Sequence, residues 1–386
     1  MKDKDLRNGE QMKFAVERDS LVDAVNWVSK SISNRPITTA LLGIVIDVAD
    51  EITLSGSDLE TSAKAKFKAD ISQKGKVLVP GKLLAEISRS LPAKPITFNL
   101  EGSRVLVTAG SAKFTLPTLP LVEYPTLPEL PSASGSLNSD LFATAVNQVA
   151  IAAGKDDSLP TLTGVFVEIN KNQITLAATD RYRLAVRELT WSAQDANIET
   201  TSLLRARTLA DAAKSLIGTT QITIALAPAN TNEKLVGFIS EGKTMTSRVL
   251  DGSFPPFRHL LPSESTADAI IEVAPLLDSV RRVALVTDKT VPLRLNFSNN
   301  SLQLEAGTGD EAQASEKLDI NYKGEDINIA FNPTFLTDGL TAINTAFVHI
   351  AFTGANKPAV LTGQTEAGSA PITNYKYLLM PMRYSS

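Results

Sequence analysis

The sequence predicts an α+β protein built from three repeats of one domain, and three kinds of observation predict it. A strand-like pattern with a polar end occurs at 51–58 (Glu-Ile-Thr-Leu-Ser-Gly-Ser-Asp), at 173–180 (Gln-Ile-Thr-Leu-Ala-Ala-Thr-Asp) and, more loosely, at 301–310. Similar segments flank each copy in the same order, and proline-rich joints separate the copies. Asp58, Asp180 and Asp310 end the three patterns at intervals close to about 129 residues, a third of the chain.

The flanking segments predict the elements of each repeat in chain order. An amphipathic helix and then a strand precede each copy, because apolar residues recur first at helical and then at alternating spacing. These segments are 19–32 with 41–48, 139–153 with 163–169, and 274–286 with 293–297. After each copy, a strand runs into a second helix at 77–91, 202–216 and 327–343, and paired strands follow at 96–116, 222–250 and 347–381.

The joints set the predicted domain boundaries. Residues 117–135 and 254–266 are rich in proline, serine and glycine. Proline lacks a backbone donor and fixes φ, so such stretches end strands and form stiff connectors. We therefore predict domains at 12–134, 135–264 and 265–386, preceded by an N-terminal extension at 1–11.

Composition excludes several classes of function. The chain has no cysteine, which rules out disulfides, thiolate metal sites and cysteine nucleophiles. Two histidines, His259 and His349, leave little room for a histidine metal site or base, so we expect neither a metal nor a cofactor. The first residues are too charged for a signal peptide and no apolar run reaches the ~18 residues of a membrane span, so we expect a soluble cytoplasmic protein. The net charge of −4 does not by itself indicate a nucleic-acid partner.

One motif offers an alternative function, that of a P-loop nucleotide-binding protein. Gly237, Gly242, Lys243 and Thr244 fit the pattern G-x-x-x-x-G-K-[ST]. That motif needs a helix directly behind the glycine-rich loop, whereas here both flanks alternate like strands. The sequence favours a β-hairpin whose turn is formed by residues 240–243.

No other enzyme motif is present. The chain contains no Gly-x-Ser-x-Gly, no His-Glu-x-x-His and no calcium-binding loop. We therefore do not expect an enzyme.

Several short motifs resemble those of a known family. The segment from Thr179 to Ala185 (Thr-Asp-Arg-Tyr-Arg-Leu-Ala) resembles the T-D-x-x-R-L-A segment of the bacterial β sliding clamp, the processivity factor of the replicative DNA polymerase. The similarity continues, in the family's order, through 12–14 (Met-Lys-Phe), 34–36 (Asn-Arg-Pro), 41–43 (Leu-Leu-Gly), 162–164 (Leu-Thr-Gly), 251–255 (Asp-Gly-Ser-Phe-Pro) and 380–383 (Met-Pro-Met-Arg). Together these motifs cover nearly the whole chain.

The resemblance implies a function and a set of partners. It implies a head-to-tail homodimer of three-domain chains, a ring with helices lining its hole and antiparallel sheets outside. Such a ring encircles double-stranded DNA without regard to sequence and performs no chemistry. It tethers the replicative polymerase, the clamp loader, repair polymerases and other clamp-motif proteins, and it involves no membrane.

The resemblance also implies three sets of site residues. A pocket for short peptides matches Leu162, Thr179, Arg181, Tyr182, Arg183, Leu184, Pro255, His259, Leu260, Pro358, Leu379, Met380, Pro381, Met382 and Arg383. The candidate DNA contacts are Lys30, Arg35, Arg89, Lys155, Arg205, Arg207, Arg281 and Arg282. The dimer contacts are expected at Phe114, Leu116, Ala284 and Leu285; the alternative for Phe114 and Leu116 is that they face the core of their own domain. His259 stands where the family often has arginine, and Thr179 and Arg183 are expected to orient a glutamine-type polar group of the peptide.

Overall fold

The computed structural model describes residues 11–33, 37–227, 234–287, 291–307 and 312–383. Its helices are α1 (Arg18–Ser29), α2 (Gly81–Ser90), α3 (Ser139–Ala150), α4 (Ala206–Ser215), α5 (Val273–Val283) and α6 (Pro333–Ala342). The strands up to the first joint are β1 (Lys13–Val16), β2 (Gly43–Val48), β3 (Ile52–Ser57), β4 (Thr61–Phe67), β5 (Asp70–Gln73), β6 (Gly75–Pro80), β7 (Ile96–Glu101), β8 (Arg104–Ala109) and β9 (Ala112–Pro117).

The remaining strands follow in two further series. The second series is β10 (Ala133–Asn138), β11 (Gly164–Asn170), β12 (Gln173–Thr179), β13 (Arg183–Thr190), β14 (Ser192–Ala193), β15 (Glu199–Arg205), β16 (Gln221–Leu226), β17 (Leu235–Ser240) and β18 (Lys243–Arg248). The third is β19 (Ala267–Glu272), β20 (Leu293–Ser298), β21 (Ser301–Ala306), β22 (Ala314–Asp319), β23 (Asn321–Lys323), β24 (Ile327–Phe331), β25 (Phe347–Phe352), β26 (Ala359–Gln364) and β27 (Ile372–Leu379).

The element order repeats three times, as the sequence predicted. Each series runs strand, helix, five strands, helix, three strands. The first predicted helix is α1, the predicted strand at 41–48 is β2, and the strand-to-helix segments are β6–α2, β15–α4 and β24–α6. Asp310, the end of the third copy of the polar-ended pattern, lies outside the described residues.

The chain forms two compact units. The first comprises Met1–Asp140, Ser192–Asp195 and Asp211–Val249, and the second comprises Leu141–Trp191, Ala196–Ala210 and Leu250–Ser386. The first unit holds a five-stranded sheet, β5-β1-β7-β8-β9, and a nine-stranded sheet, β14-β10-β16-β17-β18-β4-β3-β2-β6. The second unit holds a nine-stranded sheet, β15-β11-β12-β13-β27-β26-β25-β19-β23, and a four-stranded sheet, β22-β21-β20-β24.

Both nine-stranded sheets contain a junction between neighbouring repeats. In the first unit β4 pairs antiparallel with β18, so that Lys64 lies opposite Thr244. In the second unit β13 pairs antiparallel with β27, so that Leu184 lies opposite Leu378. Each junction therefore joins the edge of one repeat's sheet to the edge of the next repeat's sheet through main-chain hydrogen bonds.

The helices bury one face against the sheets. In α1, Leu21, Ala24, Val25 and Val28 are buried at helical spacing. The indole of Trp27 donates to the Lys64 carbonyl oxygen at 3.0 Å and to the Thr244 carbonyl oxygen at 3.1 Å. One buried side chain therefore contacts both strands of the β4–β18 junction.

Helix α6 begins at a well-formed cap. The side chain of Asn332 accepts hydrogen bonds from the backbone N–H groups of Thr334 and Phe335, and Pro333 occupies the first turn. Proline suits this position because its missing donor has no partner in the first turn of a helix. The cap fixes the start of the helix and with it the positions of Phe335 and Asp338, whose side chains both contribute to the candidate functional site.

Candidate functional site

The turn between β12 and β13 forms the centre of the candidate site. Asp180 accepts hydrogen bonds from the backbone N–H groups of Tyr182 and Arg183 at 3.0 and 3.1 Å, and Thr179 donates its hydroxyl to the Arg183 carbonyl oxygen at 2.7 Å. Arg181 adopts a φ of 80°, in the left-handed region that tight turns require. These bonds hold Tyr182 outward, with 58% of its surface exposed.

The first repeat contains the same turn. Asp58 accepts from the backbone N–H groups of Glu60 and Thr61, and Leu59 has a φ of 77°. Asp58 and Asp180, which ended the first two copies of the sequence pattern, therefore close strand turns, because a short carboxylate side chain hydrogen-bonds readily to the backbone two and three residues on. Asp180 therefore has a structural role in this turn.

Arg183 lies beneath this turn and is only 4% exposed. Its Nε lies 2.9 Å from an Asp180 oxygen and its Nη1 lies 2.6 Å from an Asp338 oxygen. The guanidinium also stacks over the Phe335 ring, 4.3 Å from its centroid. Burial on its own lowers the pKa of Arg183, but the neighbouring Tyr377 hydroxyl and the two carboxylates outweigh it and raise the pKa overall.

The guanidinium of Arg183 therefore interacts with Asp180, Asp338 and Phe335 inside the protein. These contacts of the guanidinium hold the turn in place, and the expected role of Arg183 in orienting a polar group of a bound peptide stays a prediction. Thr179 also stabilises the turn, because its hydroxyl donates a hydrogen bond to the backbone of the same turn.

The C-terminal segment lies beside the turn. Leu379, at the end of β27, pairs with Arg183 in register, and the Met380 N–H donates to the Tyr182 carbonyl oxygen at 2.9 Å. The Met382 N–H donates to the Ala330 carbonyl oxygen at 2.8 Å. These bonds dock the last described residues, with Met380 next to Tyr182 and Met382 next to Ala330.

A loop at 251–264 forms the third side of the site. Its Phe257 is buried in an apolar cluster with Leu184, Val360 and Leu378, and Leu261 packs against the same cluster. The single-turn helix Arg258–Leu260 follows and leaves His259 and Leu260 exposed. The cluster thus brings the loop, the turn and the C-terminal strand together on one face of the sheet.

The predicted pocket residues differ in accessibility. The exposed ones are Arg181, Tyr182, Pro255, His259, Leu260, Met380 and Arg383; the half-buried ones are Thr179, Pro358, Pro381 and Met382; the buried ones are Leu162, Arg183, Leu184 and Leu379. The buried residues support the site from below, and the exposed and half-buried ones form the surface that a ligand can contact.

Three residues of the site escaped the sequence-based prediction. Phe335 stacks on Tyr182 with ring centroids 6.3 Å apart, Asp338 pairs with Arg183, and the Tyr377 hydroxyl donates to the Phe335 carbonyl oxygen at 2.8 Å. Burial raises the pKa of Tyr377, so its phenol remains a hydrogen-bond donor. Only the long-range pairing of β13 with β27 and the packing of α6 bring these residues to the turn.

The P-loop alternative finds no support in the structure. β17 and β18 pair antiparallel up to Ser240 opposite Lys243, and the two turn residues, Glu241 and Gly242, have φ of 44° and 79°. Two positive φ values are typical of a type I′ hairpin turn. The predicted hairpin is confirmed, and no helix follows the motif.

The basic candidates for DNA contact are distributed over the helices and their ends. Lys30, Arg89, Lys155, Arg207, Arg281 and Arg282 are exposed, whereas Arg205 is half-buried. Arg35 lies outside the described residues. Burial lowers the pKa of Lys30, and Lys214 and Lys243 add to that effect against the opposing charge of Asp211.

Some of these cations already have acidic partners. Arg282 binds Glu316 through Nε at 3.0 Å, and Ser279 donates to the same carboxylate at 2.6 Å. Both hydrogen bonds lower the pKa of Glu316, and the one from Arg282 has the larger effect. Arg205 lies 3.8 Å from Asp157.

The predicted dimer residues divide sharply by exposure. β9 is an edge strand of the five-stranded sheet and β22 is an edge strand of the four-stranded sheet. On β9, Phe114 is half-buried, whereas Leu116 is only 1% exposed and faces the core of its own unit. Leu285, in the single-turn helix after α5, is 82% exposed. Leu116 is therefore a core residue, and Leu285 is the accessible apolar side chain.

The described ranges hold neither a membrane-spanning helix nor a cluster of metal-binding side chains. Within them, no helix combines the length and apolar character that crossing a membrane requires. In the same part of the chain, no group of three or more acidic or histidine side chains is placed to hold a metal ion.

Family models for the DNA polymerase III beta subunit match the chain in three consecutive stretches. The N-terminal domain matches residues 12–128, the central domain 136–256 and the C-terminal domain 258–383. The beta sliding clamp of Streptomyces coelicolor is 46% identical over 97% of this chain and 100% of its own length. The beta sliding clamp of Micrococcus luteus is 46% identical over 80% of this chain and 98% of its own length.

Solved structures show the same fold. The DNA polymerase III beta subunit of Thermotoga maritima superposes with a TM-score of 0.87 at 26% identity, covering 97% of this chain and 100% of that one. The sliding clamp of Bacillus subtilis gives a TM-score of 0.89 at 24% identity, with the same coverage of both chains. The three matched domains, the related sequences and the shared fold lead to one conclusion: the chain belongs to the DNA polymerase III beta subunit family, the bacterial β sliding clamps.

Proposed function

We propose that this protein is a DNA sliding clamp, a homodimeric ring that encircles double-stranded DNA and tethers the replicative polymerase, the clamp loader and repair polymerases in the cytoplasm. Its domains are assigned to 12–134, 135–264 and 265–386, with 1–11 as an extension. The protein serves as a processivity factor and carries no catalytic residues of its own.

The observation that carries this proposal is the equivalence of four sheet edges. β4 and β13 occupy the same place in the first and second repeats, and each pairs with the last strand of a following repeat, β18 or β27. The corresponding strands at the two ends of the series, β22 in the third repeat and β9 in the first, have no such partner within the described sheets. A second copy supplies the missing partner if its β9 pairs with β22 of this chain, and the reverse pairing closes the ring.

The side chains near these edges support the same pairing. An edge strand with unpaired N–H and C=O groups attracts another strand unless it is covered. Leu285 is 82% exposed directly after α5, the helix that packs on β22, and Phe114 is half-buried on β9. We assign Phe114, Ala284 and Leu285 to the contact between copies, and Leu116 to the core that supports β9.

Positive charge on the helices supports binding to the DNA backbone. Within the described ranges no ion pair is found for Arg89, Lys155 or Arg207. Free cations that face phosphates give attraction without regard to sequence, and this suits a ring that slides. Arg205 and Arg282 contribute less, because Asp157 and Glu316 already partly neutralise them.

The surface formed by Tyr182, Met380 and Met382 is the proposed docking site for partner peptides. Methionine side chains adapt to different apolar anchors, and Tyr182 supplies a flat wall held in place by Phe335. Backbone and side-chain groups of the turn fix this wall, so peptides that carry a Gln-Leu-x-Leu-Phe-type motif meet a surface that is already formed.

Clamp function is tested by a topological experiment. The dimer is loaded on nicked circular DNA by a clamp loader, the salt is raised, and the DNA is then linearised. A ring stays on the circle at high salt and leaves once ends are available, whereas simple electrostatic binding is lost at high salt on either DNA. Retention that does not depend on topology would overturn the proposal.

Peptide docking is tested by calorimetry with a Gln-Leu-x-Leu-Phe-type peptide. Tyr182→Ala combined with Met380→Ala removes two exposed side chains without opening the core, so we expect binding to fall at least tenfold while the dimer persists. Ile217→Ala, which truncates a 55% exposed side chain elsewhere, is the matched control and should leave binding unchanged. Unchanged affinity in the double variant would place the docking site elsewhere.

A further inference from the structure

A cavity lies beside the proposed docking surface. It measures about 370 Å³ and is lined by Phe166, Phe254, Pro255, Pro256, Phe257, Arg258 and His259. Pro255 and His259 also belong to the predicted peptide pocket, so the two sites share a wall. The volume lies in the range of small-ligand pockets, and the lining is mostly apolar.

The floor of this cavity is aromatic. The rings of Phe166 and Phe254 stack with centroids 5.3 Å apart, and Phe257 meets them edge-on at 6.2 and 6.0 Å. Phe166 and Phe254 are half-buried, so part of this ring cluster remains open to solvent. Offset and edge-on pairs of this kind gain energy when another ring joins them.

Arg258 forms one side of the cavity and is already held flat. Its guanidinium lies over the Phe257 ring, 5.0 Å from the centroid, and it hydrogen-bonds to Glu168 on β11. The ion pair with Glu168 already fixes the guanidinium of Arg258. A flat aromatic side chain can therefore stack on it with little further loss of freedom in the Arg258 side chain. An aliphatic side chain gains no such stacking.

The cavity lies within reach of a peptide on the docking surface. Phe166 on β11 pairs with Ala177 on β12, and Ala177 pairs with Val186 on β13. Phe166 is therefore two strands away from β13 and lies level with Val186, two residues along that strand from Leu184. With about 4.8 Å between strands and 3.3 Å per residue, the two positions lie roughly 12 Å apart. An extended peptide covers that distance in three or four residues.

We propose that this cavity is an additional anchor site that takes an aromatic side chain, tryptophan or phenylalanine, located three or four residues from the core motif of a docked partner peptide. The inference rests on the proposed docking function and extends it. It means that partners which share one core motif differ in affinity according to a residue outside that motif.

The test compares four designs of fluorescently labelled peptide by anisotropy on the full-length dimer. All contain a Gln-Leu-x-Leu-Phe core. One is unextended, and the other three carry tryptophan, leucine or alanine four residues beyond the core; because each of these three is made in an N-terminal and a C-terminal version, seven peptides are measured in all. We expect tryptophan at one of the two ends to bind about 3–10-fold tighter than alanine, and leucine to gain less. Equal affinities for tryptophan and alanine at both ends would overturn the anchor site.

Two variants identify the cavity as the source of the gain. Phe254→Leu keeps an apolar side chain but removes a ring, and Arg258→Lys keeps the charge but removes the planar group. Both should reduce the tryptophan gain to about twofold or less while the unextended core peptide binds as before. Phe347→Leu, the same change at a half-buried phenylalanine on β25, is the control and should preserve the gain.

The outcomes separate this inference from the one on which it rests. Failure of the unextended core peptide to bind would refute the proposed docking function itself. Normal core binding with a tryptophan gain that survives both variants would refute only the anchor site. If Phe254→Leu changes the dissociation constant of the dimer, this face is a contact between copies of the chain. The proposal of an anchor site would then be wrong.

Discussion

Substitution of Leu285 by glutamate should convert the dimer into folded monomers. Leu285 is 82% exposed in the isolated chain, and burying a leucine side chain contributes about 1.5–3 kcal/mol. Scaled by that exposure, each interface between copies would be weakened by about 1.2–2.5 kcal/mol, and a ring closed by two such interfaces by about 2.5–5 kcal/mol. At about 1.4 kcal/mol per tenfold, the dissociation constant should rise by roughly 60-fold to 4,000-fold, before the added cost of burying a carboxylate.

Sedimentation velocity over a series of protein concentrations measures this shift, and thermal unfolding checks that the monomer is intact. Val122→Glu, at a valine that is 94% exposed, is the matched control and should leave the dissociation constant unchanged. Leu116→Ala should instead lower the free energy of unfolding by about 2–5 kcal/mol, because Leu116 is a core residue. A dissociation constant within threefold of the wild type in Leu285→Glu would refute the assignment of Leu285 to the interface.

Four further expectations concern single residues. Arg183→Met should lower the free energy of unfolding by about 3–5 kcal/mol in denaturant titrations and weaken peptide binding, because it leaves two carboxylates without their partner; wild-type stability would contradict the structural role assigned to Arg183. Arg207→Glu should preserve the dimer and reduce the slope of log K against log salt by about 0.9 for each phosphate that residue 207 no longer neutralises, so an unchanged slope would remove Arg207 from the DNA-binding residues. The hydrogen bond from Arg282 lowers the pKa of Glu316, so this pair stabilises the fold above the ordinary carboxyl pKa of 4.5 and stops doing so as the pH falls through the lowered pKa. The difference in melting temperature between wild type and Glu316→Gln should therefore shrink in acid. A difference that stays constant with pH would argue against the pair. Gly242→Ala should destabilise by about 1–2 kcal/mol, because φ is 79° and a Cβ would lie 2.9 Å from the Lys66 carbonyl oxygen; a neutral effect on the melting temperature would contradict the hairpin turn.

The repeat and most of its elements were predictable because their signals are local. Alternation and helical spacing are visible in any short window, and the same aspartate closes the turn at Asp58 and at Asp180. The strands β1, β10 and β19 were not predicted, because each is short and lies just before a helix whose pattern dominates the window.

The pairing across repeats could not be read from the sequence. An edge strand such as β13 has the same alternation whether its neighbour belongs to its own repeat or to the next one. Consequently Asp338 and Tyr377, which reach Arg183 only through the β13–β27 junction and the packing of α6, gave no signal near the recognised motif. The sequence left open for a related reason whether Leu116 faces the partner chain or its own core: alternation shows that two faces differ but not which of them a core covers.

The two tryptophans of the chain give each compact unit its own optical reporter. Trp27 donates its indole N–H to both strands of the β4–β18 junction in the first unit, and Trp191 donates to the Lys171 carbonyl oxygen at 2.8 Å in the second. Both rings are buried, so each should shift its emission to longer wavelength when its own surroundings open. A chain with Trp27→Phe and a chain with Trp191→Phe would therefore report, by simple fluorescence, whether the two halves of the protein unfold together or one after the other.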